Sequence, residues 1–391
     1  MVPSRRLEGF TESVIREMTR LNLALHGPER AINFAQGFPD FEPPEEIVAA
    51  AHAALDTGGA YHQYSPTWGA VALRSAVAAR KSSQWARPID PDTMVTVTCG
   101  ATEAMIATML SVVEPGDEVV IFEPHYENYG PDCILSGATP RPVLLRPPRW
   151  EFDPEELRAA FGPRTRAIVV NTPHNPSGKV FSQAELDLIA DLCIEHDCVA
   201  ITDEIYEDLV YFGRHLSLAN LPGMQDRTVT ISGASKTYSV TGWRVGWVIA
   251  GESLTQGVRK VHDFLTVGAA HPLQIAVAGA LSLPESFYDG LREQYLERRD
   301  RIVSGLAEIG FGVDEPAGAY YAMVDISGLT DAGDTAFARR LIERCAVASV
   351  PGSSFYTDPS RGRDQLRFSF PKRLQTIDRG LEALRTGLKP G

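Results

Sequence analysis

Short apolar runs alternate with helical patterns between about residues 90 and 250. The strand-like runs are 94–98, 118–122, 167–171, 198–202 and 228–232. Helical periodicity follows the first, third and fourth runs, and Ser182 with Glu185 forms a capping box before the second of these helices. Such alternation predicts a mostly parallel sheet covered by helices. The link after Ser232 has no helical period, so 245–250 is predicted to be an antiparallel strand of that sheet.

The segments on either side of this region show different patterns. An amphipathic helix is predicted over 11–25, with an apolar side formed by Val14, Ile15, Met18, Leu21 and Leu25. Pro44, followed by two glutamates and an alanine-rich stretch, predicts the start of a second helix. Later patterns predict helices at 285–310, 334–345 and 374–387 and strands at 319–325 and 365–370. These later segments indicate an α+β unit.

We therefore expect an α/β fold with two domains. A chain of 391 residues is longer than one hydrophobic core usually serves. The large domain is expected to span 47–284, with a mostly parallel sheet sandwiched by helices. Residues 1–46 and 285–391 are expected to form the smaller domain together.

Composition narrows the class of protein. The formal net charge of −13 is spread along the chain, which disfavours nucleic-acid binding. Five cysteines without a Cys-x-x-Cys pair indicate neither a disulfide framework nor a zinc site, and reduced thiols fit a cytoplasmic protein. No signal-peptide pattern occurs, and no apolar run approaches the ~20 residues of a membrane span. We expect a cytoplasmic protein that binds no metal, membrane or nucleic acid.

The most informative run follows the last predicted strand and contains Lys236 and Arg244. The lysine is expected on a loop at the strand's carboxyl end. Its amine can form an imine with a carbonyl, and the arginine can hold an anion beside it. A cofactor that is both an aldehyde and a phosphate needs both groups, which describes pyridoxal phosphate.

Small and polar residues also follow the earlier strands. The run Gly100-Ala101-Thr102-Glu103-Ala104 is expected to open a helix at Met105 and to bring its amino end close to an anion, although ordinary βα turns use the same residues. Tyr126 can cover a cofactor ring or simply pack on a loop. Asn175, in a turn with two prolines, can direct its amide to a ring oxygen or serve only the turn.

Two charged residues and a tyrosine complete this set of candidate binding residues. Asp203 ends an apolar strand that we expect to be central, so its carboxylate can pair with a pyridinium nitrogen and raise the pKa of that nitrogen. Tyr206 follows closely and can donate to the ring oxygen. Arg367 lies among strand hydrophobics, where it either faces an exposed edge or forms a fork for a substrate carboxylate. Open α/β sheets place ligands at the carboxyl ends of their strands.

Taken in order, these runs resemble the class I aminotransferases of pyridoxal-phosphate fold type I, and among them the kynurenine, glutamine and methionine aminotransferase group. The resemblance covers nearly the whole chain. The runs that carry it are Asn33-Phe34-Ala35-Gln36-Gly37-Phe38-Pro39-Asp40-Phe41, Gln63-Tyr64-Ser65-Pro66, Gly100-Ala101-Thr102-Glu103-Ala104, Asn175-Pro176-Ser177-Gly178, Asp203-Glu204-Ile205-Tyr206, the Lys236 run, Val350-Pro351-Gly352-Ser353-Ser354-Phe355-Tyr356 and Leu366-Arg367-Phe368.

The resemblance implies a role for each matched residue. Lys236 is implied to form the Schiff base and carry protons, and Asp203 to hold the pyridinium nitrogen. The implied cofactor contacts are Ala101, Thr102, Ser235 and Arg244 for the phosphate, Tyr126 for the ring face, and Asn175 and Tyr206 for the ring oxygen. Gly37, Asn175 and Arg367 are implied to bind the substrate carboxylate. Tyr64 is implied to reach the phosphate of a partner subunit, and therefore a homodimer with shared active sites.

The implied reaction moves the α-amino group of an L-amino acid to a 2-oxo acid with ping-pong kinetics. Aromatic candidates Phe38, Tyr61, Trp68 and Phe355 suggest an apolar, aromatic, or glutamine- or methionine-like side chain. Another pyridoxal-phosphate reaction, catalysed by a lyase, oxidase, cyclase or carbon–carbon bond-forming enzyme, remains an alternative because the scaffold is shared. We do not expect a regulator with an aminotransferase-like sensor, because only about 30 residues precede the Gln36-Gly37 loop. A nicotinamide oxidoreductase is not expected either, because no Gly-x-Gly-x-x-Gly run follows the first strand.

Overall fold

The computed structural model describes residues 4–389. The α-helices are Val14–Arg30, Glu45–Asp56, Val71–Trp85, Ala101–Val112, Tyr129–Leu135, Pro154–Ala160, Gln183–Glu195, Ala234–Thr237, Glu252–Leu265, His271–Ala280, Glu285–Ile309, Asp334–Cys345 and Leu374–Gly387. The strands are Ile32–Asn33, Val95–Thr98, Glu118–Glu123, Thr139–Leu144, Thr165–Asn171, Val199–Asp203, Thr228–Gly233, Gly246–Ala250, Gly312–Val313, Tyr321–Asp325, Val347–Ala348, Val350–Pro351 and Gln365–Ser369. Short 3₁₀ helices cover Arg5–Gly9, Gly59–His62, Leu218–Asn220, Thr241–Trp243, Gly352–Phe355 and Pro359–Gly362.

A seven-stranded mixed sheet forms the centre of the molecule. Its order is Val95–Thr98, Gly246–Ala250, Thr228–Gly233, Val199–Asp203, Thr165–Asn171, Glu118–Glu123 and Thr139–Leu144. The last five of these strands are parallel, while Gly246–Ala250 runs antiparallel to both of its neighbours. The predicted antiparallel strand is thus confirmed.

Both faces of this sheet are covered. Ile168 and Val170 pack into one hydrophobic cluster, whereas Ala167 and Val169, which alternate with them, pack into another. Side chains of a strand point alternately to opposite faces, so both faces must be buried. The predicted α/β class, with helices on both sides of a mostly parallel sheet, is confirmed.

A smaller antiparallel sheet lies beside the central one and brings Arg367 to its position. In this sheet Arg367 is the register partner of both Met323 and Val350. Ile32–Asn33 pairs with Val347–Ala348, so the N-terminal segment packs against the C-terminal part of the chain. The exact division into domains at 46/47 and 284/285 stays a prediction.

Several local predictions were wrong. No α-helix follows the strand that ends at Asp203; between it and Thr228 the chain forms turns and the 3₁₀ helix Leu218–Asn220. The helix Tyr129–Leu135 and the strand Thr139–Leu144 were not predicted from the sequence. That strand contains two prolines, which weakened its pattern but are tolerated because it lies at the sheet edge.

Element boundaries also moved near the candidate site. The helix expected to begin at Met105 begins at Ala101, and Lys236, expected on a loop, lies in the single helical turn Ala234–Thr237. The first helix is longer than predicted, and Leu25, assigned to its apolar side, is 54% exposed. Among residues 4–389 no helix combines the length and apolar character needed to cross a membrane.

Candidate active site

A cavity of about 440 Å³ brings together residues from distant parts of the chain. Its wall includes the predicted residues Gly37, Ala101, Thr102, Tyr126, Asn175, Asp203, Tyr206, Ser235, Lys236, Arg244 and Arg367. Most of them follow strands of the central sheet, while Gly37 comes from the N-terminal segment and Arg367 from the small sheet. The carboxyl ends of parallel strands meet at one edge of a sheet, which explains the convergence.

Lys236 contributes a side-chain amine to the wall of this cavity. Its Nζ lies 5.8 Å from the ring centroid of Tyr206 and 5.7 Å from that of Tyr320. Burial, together with the positive charges of Arg244 and Arg367, lowers the pKa of Lys236 to about 8, although Asp203 acts in the opposite direction. A lysine of lowered pKa is neutral, and therefore nucleophilic, in a larger fraction of molecules near neutral pH.

Asp203 is a buried carboxylate with two oriented donors. Its Oδ2 accepts a hydrogen bond from the Tyr129 hydroxyl at 2.7 Å, and its Oδ1 accepts one from the Ile205 amide at 3.2 Å. Burial raises the pKa of Asp203, while these two hydrogen bonds and nearby Lys236 favour the ionised form. An ionised carboxylate in such surroundings gains strongly from a cationic partner.

Hydrogen-bond donors gather where the helix Ala101–Val112 begins. The helix has no side-chain cap, and Ala101 and Thr102 of its first turn line the cavity. Arg244 donates from Nη2 to the Thr102 hydroxyl at 3.3 Å. A Cβ on Gly100 would lie 2.4 Å from the same nitrogen, so only glycine permits this approach. Free first-turn amides beside an arginine suit a phosphate group.

Arg367 is fully buried, which rules out the exposed-edge alternative. Its Nη1 donates to Oδ1 of Asn175 at 2.9 Å, and its Nη2 donates to the Ala35 carbonyl at 2.6 Å. Its Nε has no hydrogen-bond partner, and no carboxylate between residues 4 and 389 forms an ion pair with it. A buried guanidinium with an unused donor is suited to a carboxylate ligand.

The wall also contains two tyrosines that were not predicted from the sequence, Tyr129 and Tyr321. The hydroxyls of Tyr206 and Tyr321 lie 2.9 Å apart, and Tyr320, behind the wall, donates to the Gly37 carbonyl at 2.9 Å. A Cβ on Gly37 would lie 2.2 Å from the Tyr321 hydroxyl, so the backbone there comes close to the ring. Tyr129 was missed too. The two tyrosines at the start of the predicted strand 319–325 were a weak signal, and Tyr129 had none.

Some candidates lie outside the cavity. Tyr64 is 86% exposed and does not line it in the single chain. Phe38 is part of the wall, and Phe355 is buried core, with its ring centroid 5.0 Å from the Arg367 guanidinium. The remaining two aromatic candidates of the sequence analysis, Tyr61 and Trp68, do not line it either.

A second charged cluster contacts the strand Thr228–Gly233, since its Glu207 accepts a hydrogen bond from the Ser232 hydroxyl at 2.8 Å. Glu204, Glu207 and His215 lie close enough together to suggest metal ligands. The Lys81 ammonium contacts the Glu207 carboxylate and lies 4.0 Å from that of Glu204. The cluster thus has a cation of its own, and we assign no metal to it.

The fold is that of an enzyme family that moves amino groups. The profile of the family "Aminotransferase class I and II" matches residues 29–384, and the chain belongs to this family. The family uses pyridoxal phosphate. The protein is an aminotransferase, which transfers the amino group of an amino acid to a 2-oxo acid.

Individual aminotransferases are similar to this chain over nearly its whole length. The chain is 40% identical to a probable N-succinyldiaminopimelate aminotransferase of Mycobacterium tuberculosis over 97% of both chains. It is 35% identical to rat kynurenine–oxoglutarate transaminase 3, over 98% of this chain and 90% of the relative. The solved structure of the M. tuberculosis enzyme has a TM-score of 0.94, with 39% identity over 98% of this chain and 100% of that one. A methionine aminotransferase from Escherichia coli has a TM-score of 0.93, with 33% identity over 99% and 100%.

Proposed function

We propose that the cavity binds pyridoxal 5′-phosphate at Lys236 and transfers the α-amino group of an L-amino acid to a 2-oxo acid. The observation that carries this proposal is the meeting of Lys236, Asp203 and Arg367 in one cavity wall. They provide an amine of lowered pKa, a buried carboxylate and a buried guanidinium with an unused donor. These groups match an aldehyde, a pyridine nitrogen and a substrate carboxylate, respectively.

When bound, pyridoxal phosphate supplies a carbonyl that takes the amino group and a ring that withdraws electrons from the α-carbon. Lys236 Nζ is proposed to hold the cofactor in the resting enzyme, then to remove the α-proton of the substrate and return it later. Asp203, supported by Tyr129, is proposed to keep the ring nitrogen protonated. Arg367 and the Gly37 backbone are proposed to orient the α-carboxylate.

The remaining wall residues are proposed to position the cofactor. Ser235, Arg244 and the first turn at Ala101 and Thr102 offer donors to the phosphate. Tyr126 would cover one ring face, and Tyr206 would donate to the ring oxygen. Asn175 is proposed to serve both cofactor and substrate, and its bond to Arg367 supports the substrate role.

For the amino donor we propose an apolar, aromatic, or glutamine- or methionine-like side chain. Phe38, Ile15 and Met105 supply apolar surface to the cavity, and relatives are named for kynurenine and for methionine. The name of the M. tuberculosis relative makes N-succinyldiaminopimelate a further candidate. 2-Oxoglutarate and pyruvate are the acceptors to be compared first.

The test combines cofactor trapping with product analysis. The purified protein should turn yellow with pyridoxal phosphate, and borohydride reduction should attach the cofactor to the peptide that contains Lys236. Lys236→Ala should abolish this attachment, whereas Lys260→Ala, at an exposed position, should not. One keto acid should form for each acceptor aminated; dioxygen consumption or a cyclised product would favour another reaction on the same scaffold.

We further propose that the enzyme is a cytoplasmic homodimer in which Tyr64 reaches the partner's cofactor phosphate. The 86% exposure of Tyr64 in the single chain supports this, because such an aromatic side chain is available to a second copy. Lys236→Ala and Tyr64→Ala chains should each be impaired alone. Mixed dimers should regain one intact site, which combines Lys236 of one chain with Tyr64 of the other. No recovery on mixing would contradict shared sites.

A further inference from the structure

Lys372 carries a buried ammonium that contacts Phe38, a residue of the cavity wall. The lysine is 2% exposed, and it does not itself line the cavity. Among residues 4–389 no carboxylate oxygen lies within 4.0 Å of its Nζ. Burial lowers the pKa of Lys372 to about 8, although the charge of Asp40 acts in the opposite direction. Because a charge loses free energy when it leaves water without an ion pair, the stability of the fold alone does not explain a lysine here.

The Lys372 ammonium holds both ends of the segment Gln36–Phe38. Its Nζ donates to the Phe38 carbonyl at 2.7 Å and, more weakly, to the Gln36 carbonyl at 3.5 Å. The same nitrogen lies 4.2 Å from the centroid of the Phe38 ring, which is within the range of a cation–π contact. Arg298 Nε donates to the Lys372 carbonyl at 2.8 Å, so the backbone of the lysine is fixed as well.

All three carbonyls of the segment accept hydrogen bonds from side chains of the C-terminal part of the chain. In addition to the Lys372 contacts, the Ser369 hydroxyl donates to the Gln36 carbonyl at 3.1 Å, and the Tyr320 hydroxyl donates to the Gly37 carbonyl at 2.9 Å. The Gly37 amide, in contrast, has no acceptor within the described range 4–389. Since all three residues of the segment line the cavity, this amide is free to donate to a ligand.

We infer that Lys372 is a positioning residue, which fixes the segment Gln36–Phe38 for substrate binding. This inference rests on the proposed function, in which the Gly37 backbone orients the α-carboxylate. Lys372 determines where the Gly37 amide lies, because it holds the carbonyls on either side of that residue. The α-carboxylate does not change during amino transfer, so a contact with it stabilises the bound substrate and the transition state alike. Displacement of the segment should therefore raise KM and leave kcat nearly unchanged.

The kinetic test compares Lys372→Met with the wild-type holoenzyme. Methionine is an unbranched side chain that lacks the donor and the charge. The KM for the amino donor that the wild type uses best should rise on the order of tenfold, while kcat should change less than about twofold. Lys372→Arg, which restores a cationic donor, should recover part of the loss. Arg299→Met is the matched control and should leave this KM unchanged: Arg299 is also buried, lies 4.9 Å from the ring centroid of Phe212 and donates to the Pro316 carbonyl, outside the cavity.

Two further measurements separate positioning from general damage to the site. Lys372→Met should bind pyridoxal phosphate as tightly as the wild type, because the proposed cofactor contacts lie elsewhere in the wall. In the cofactor-free protein, the peptide that contains Gln36–Phe38 should exchange its amide hydrogens faster in Lys372→Met than in the wild type or Arg299→Met.

Three results would overturn the role of Lys372. They are an unchanged KM in Lys372→Met, unchanged hydrogen exchange of the Gln36–Phe38 peptide, and a loss of cofactor affinity as large as the rise in KM. Absence of amino transfer by the wild type would instead overturn the proposed function. In that case the hydrogen exchange of the peptide would still decide whether Lys372 fixes the segment.

Discussion

The Tyr129 hydroxyl is directed at the carboxylate of Asp203, 74 residues further along the chain, and donates to it at 2.7 Å. Burial raises the pKa of Asp203, and this hydrogen bond is the first of the interactions that oppose the rise. Tyr129 has a pKa raised well above its usual range, again mainly through burial, so it stays a donor. The hydrogen bond therefore favours the negative charge of Asp203 at a place where water is largely excluded.

Removal of that donor should weaken cofactor binding. A hydrogen bond to a charged group contributes about 1.5–3 kcal/mol, so Tyr129→Phe should lower the affinity for pyridoxal phosphate roughly ten- to hundredfold. Absorbance titration of the cofactor-free protein measures this change. Tyr356→Phe is the control, because it loses a 2.9 Å hydrogen bond to Gln365 outside the cofactor cavity. Equal affinities of Tyr129→Phe and wild type would refute the role of this bond.

The close approach of Gly37 to Tyr321 should tolerate no side chain. In Gly37→Ala the new Cβ would lie 2.2 Å from the Tyr321 hydroxyl, so the loop must shift and the KM for amino donors should rise. Adding Tyr321→Phe removes the nearest atom, and the double variant should lose less than the two single losses combined. Steady-state kinetics measure the coupling. Gly290→Ala, in a helix with open space around it, should be neutral or slightly stabilising.

The charge of Arg367 alone should not replace its fork of donors. Arg367→Lys keeps a positive charge but loses the planar arrangement that spans Asn175 and the Ala35 carbonyl. We expect kcat/KM to fall roughly a hundredfold for all amino donors alike, since the α-carboxylate is common to them. Arg227→Lys, whose partner Asp197 is exposed, serves as control. A loss that depends on the donor's side chain would assign Arg367 to specificity instead.

Lys236 should titrate far below an ordinary lysine in the cofactor-free protein. Only the neutral amine reacts with an electrophile, so the rate of Lys236 labelling should have its midpoint near pH 8, against the usual 10.5. Arg244→Ala removes a positive charge that lowers this pKa and should therefore move the midpoint upwards. Mass spectrometry of the labelled peptide over a pH series measures both midpoints. A midpoint near 10 in the wild type would contradict the expectation.

The lowered pKa of Lys236 also makes the stability of the cofactor-free protein depend on pH. Because the folded protein has the lower pKa, the unfolded chain binds more protons between about pH 8 and 10.5. The contribution of Lys236 to the free energy of unfolding should therefore become more favourable as pH rises through that window. Lys236→Met should stabilise the cofactor-free protein at pH 7, and the gain should shrink towards pH 10.5. Chemical denaturation at matched pH values measures the difference.

A buried ion pair braces the turn that carries Lys236. Asp208 pairs with Arg80 at 2.7 Å and accepts a hydrogen bond from the Thr237 hydroxyl at 2.9 Å. Asp208→Ala leaves a largely buried guanidinium without its partner, so the free energy of unfolding should fall by about 3 kcal/mol. Glu151→Ala breaks an exposed pair with Arg149 and should cost less than ~1 kcal/mol. Similar losses in both variants would contradict a bracing role.

The linear order of motifs was enough to predict the fold class and most of the cavity wall. Asn175, Asp203 and Lys236 lie at or within a few residues of the ends of strands, and parallel strands must end at the same edge of a sheet. Periodicity alone therefore predicted that these side chains converge. It failed where local signals were weak, as at the edge strand Thr139–Leu144, with its two prolines.

Other features required three-dimensional packing. Arg367 lies 192 residues from Asn175, and only the register of the small sheet shows that its guanidinium is buried and not at an edge. Tyr129 carries no motif, and it joins the wall because helices pack over the strand ends. The lowered pKa of Lys236 likewise depends on burial and on charges brought from distant segments. Sequence patterns encode which face a residue presents within its element, whereas contacts between elements depend on how those elements pack.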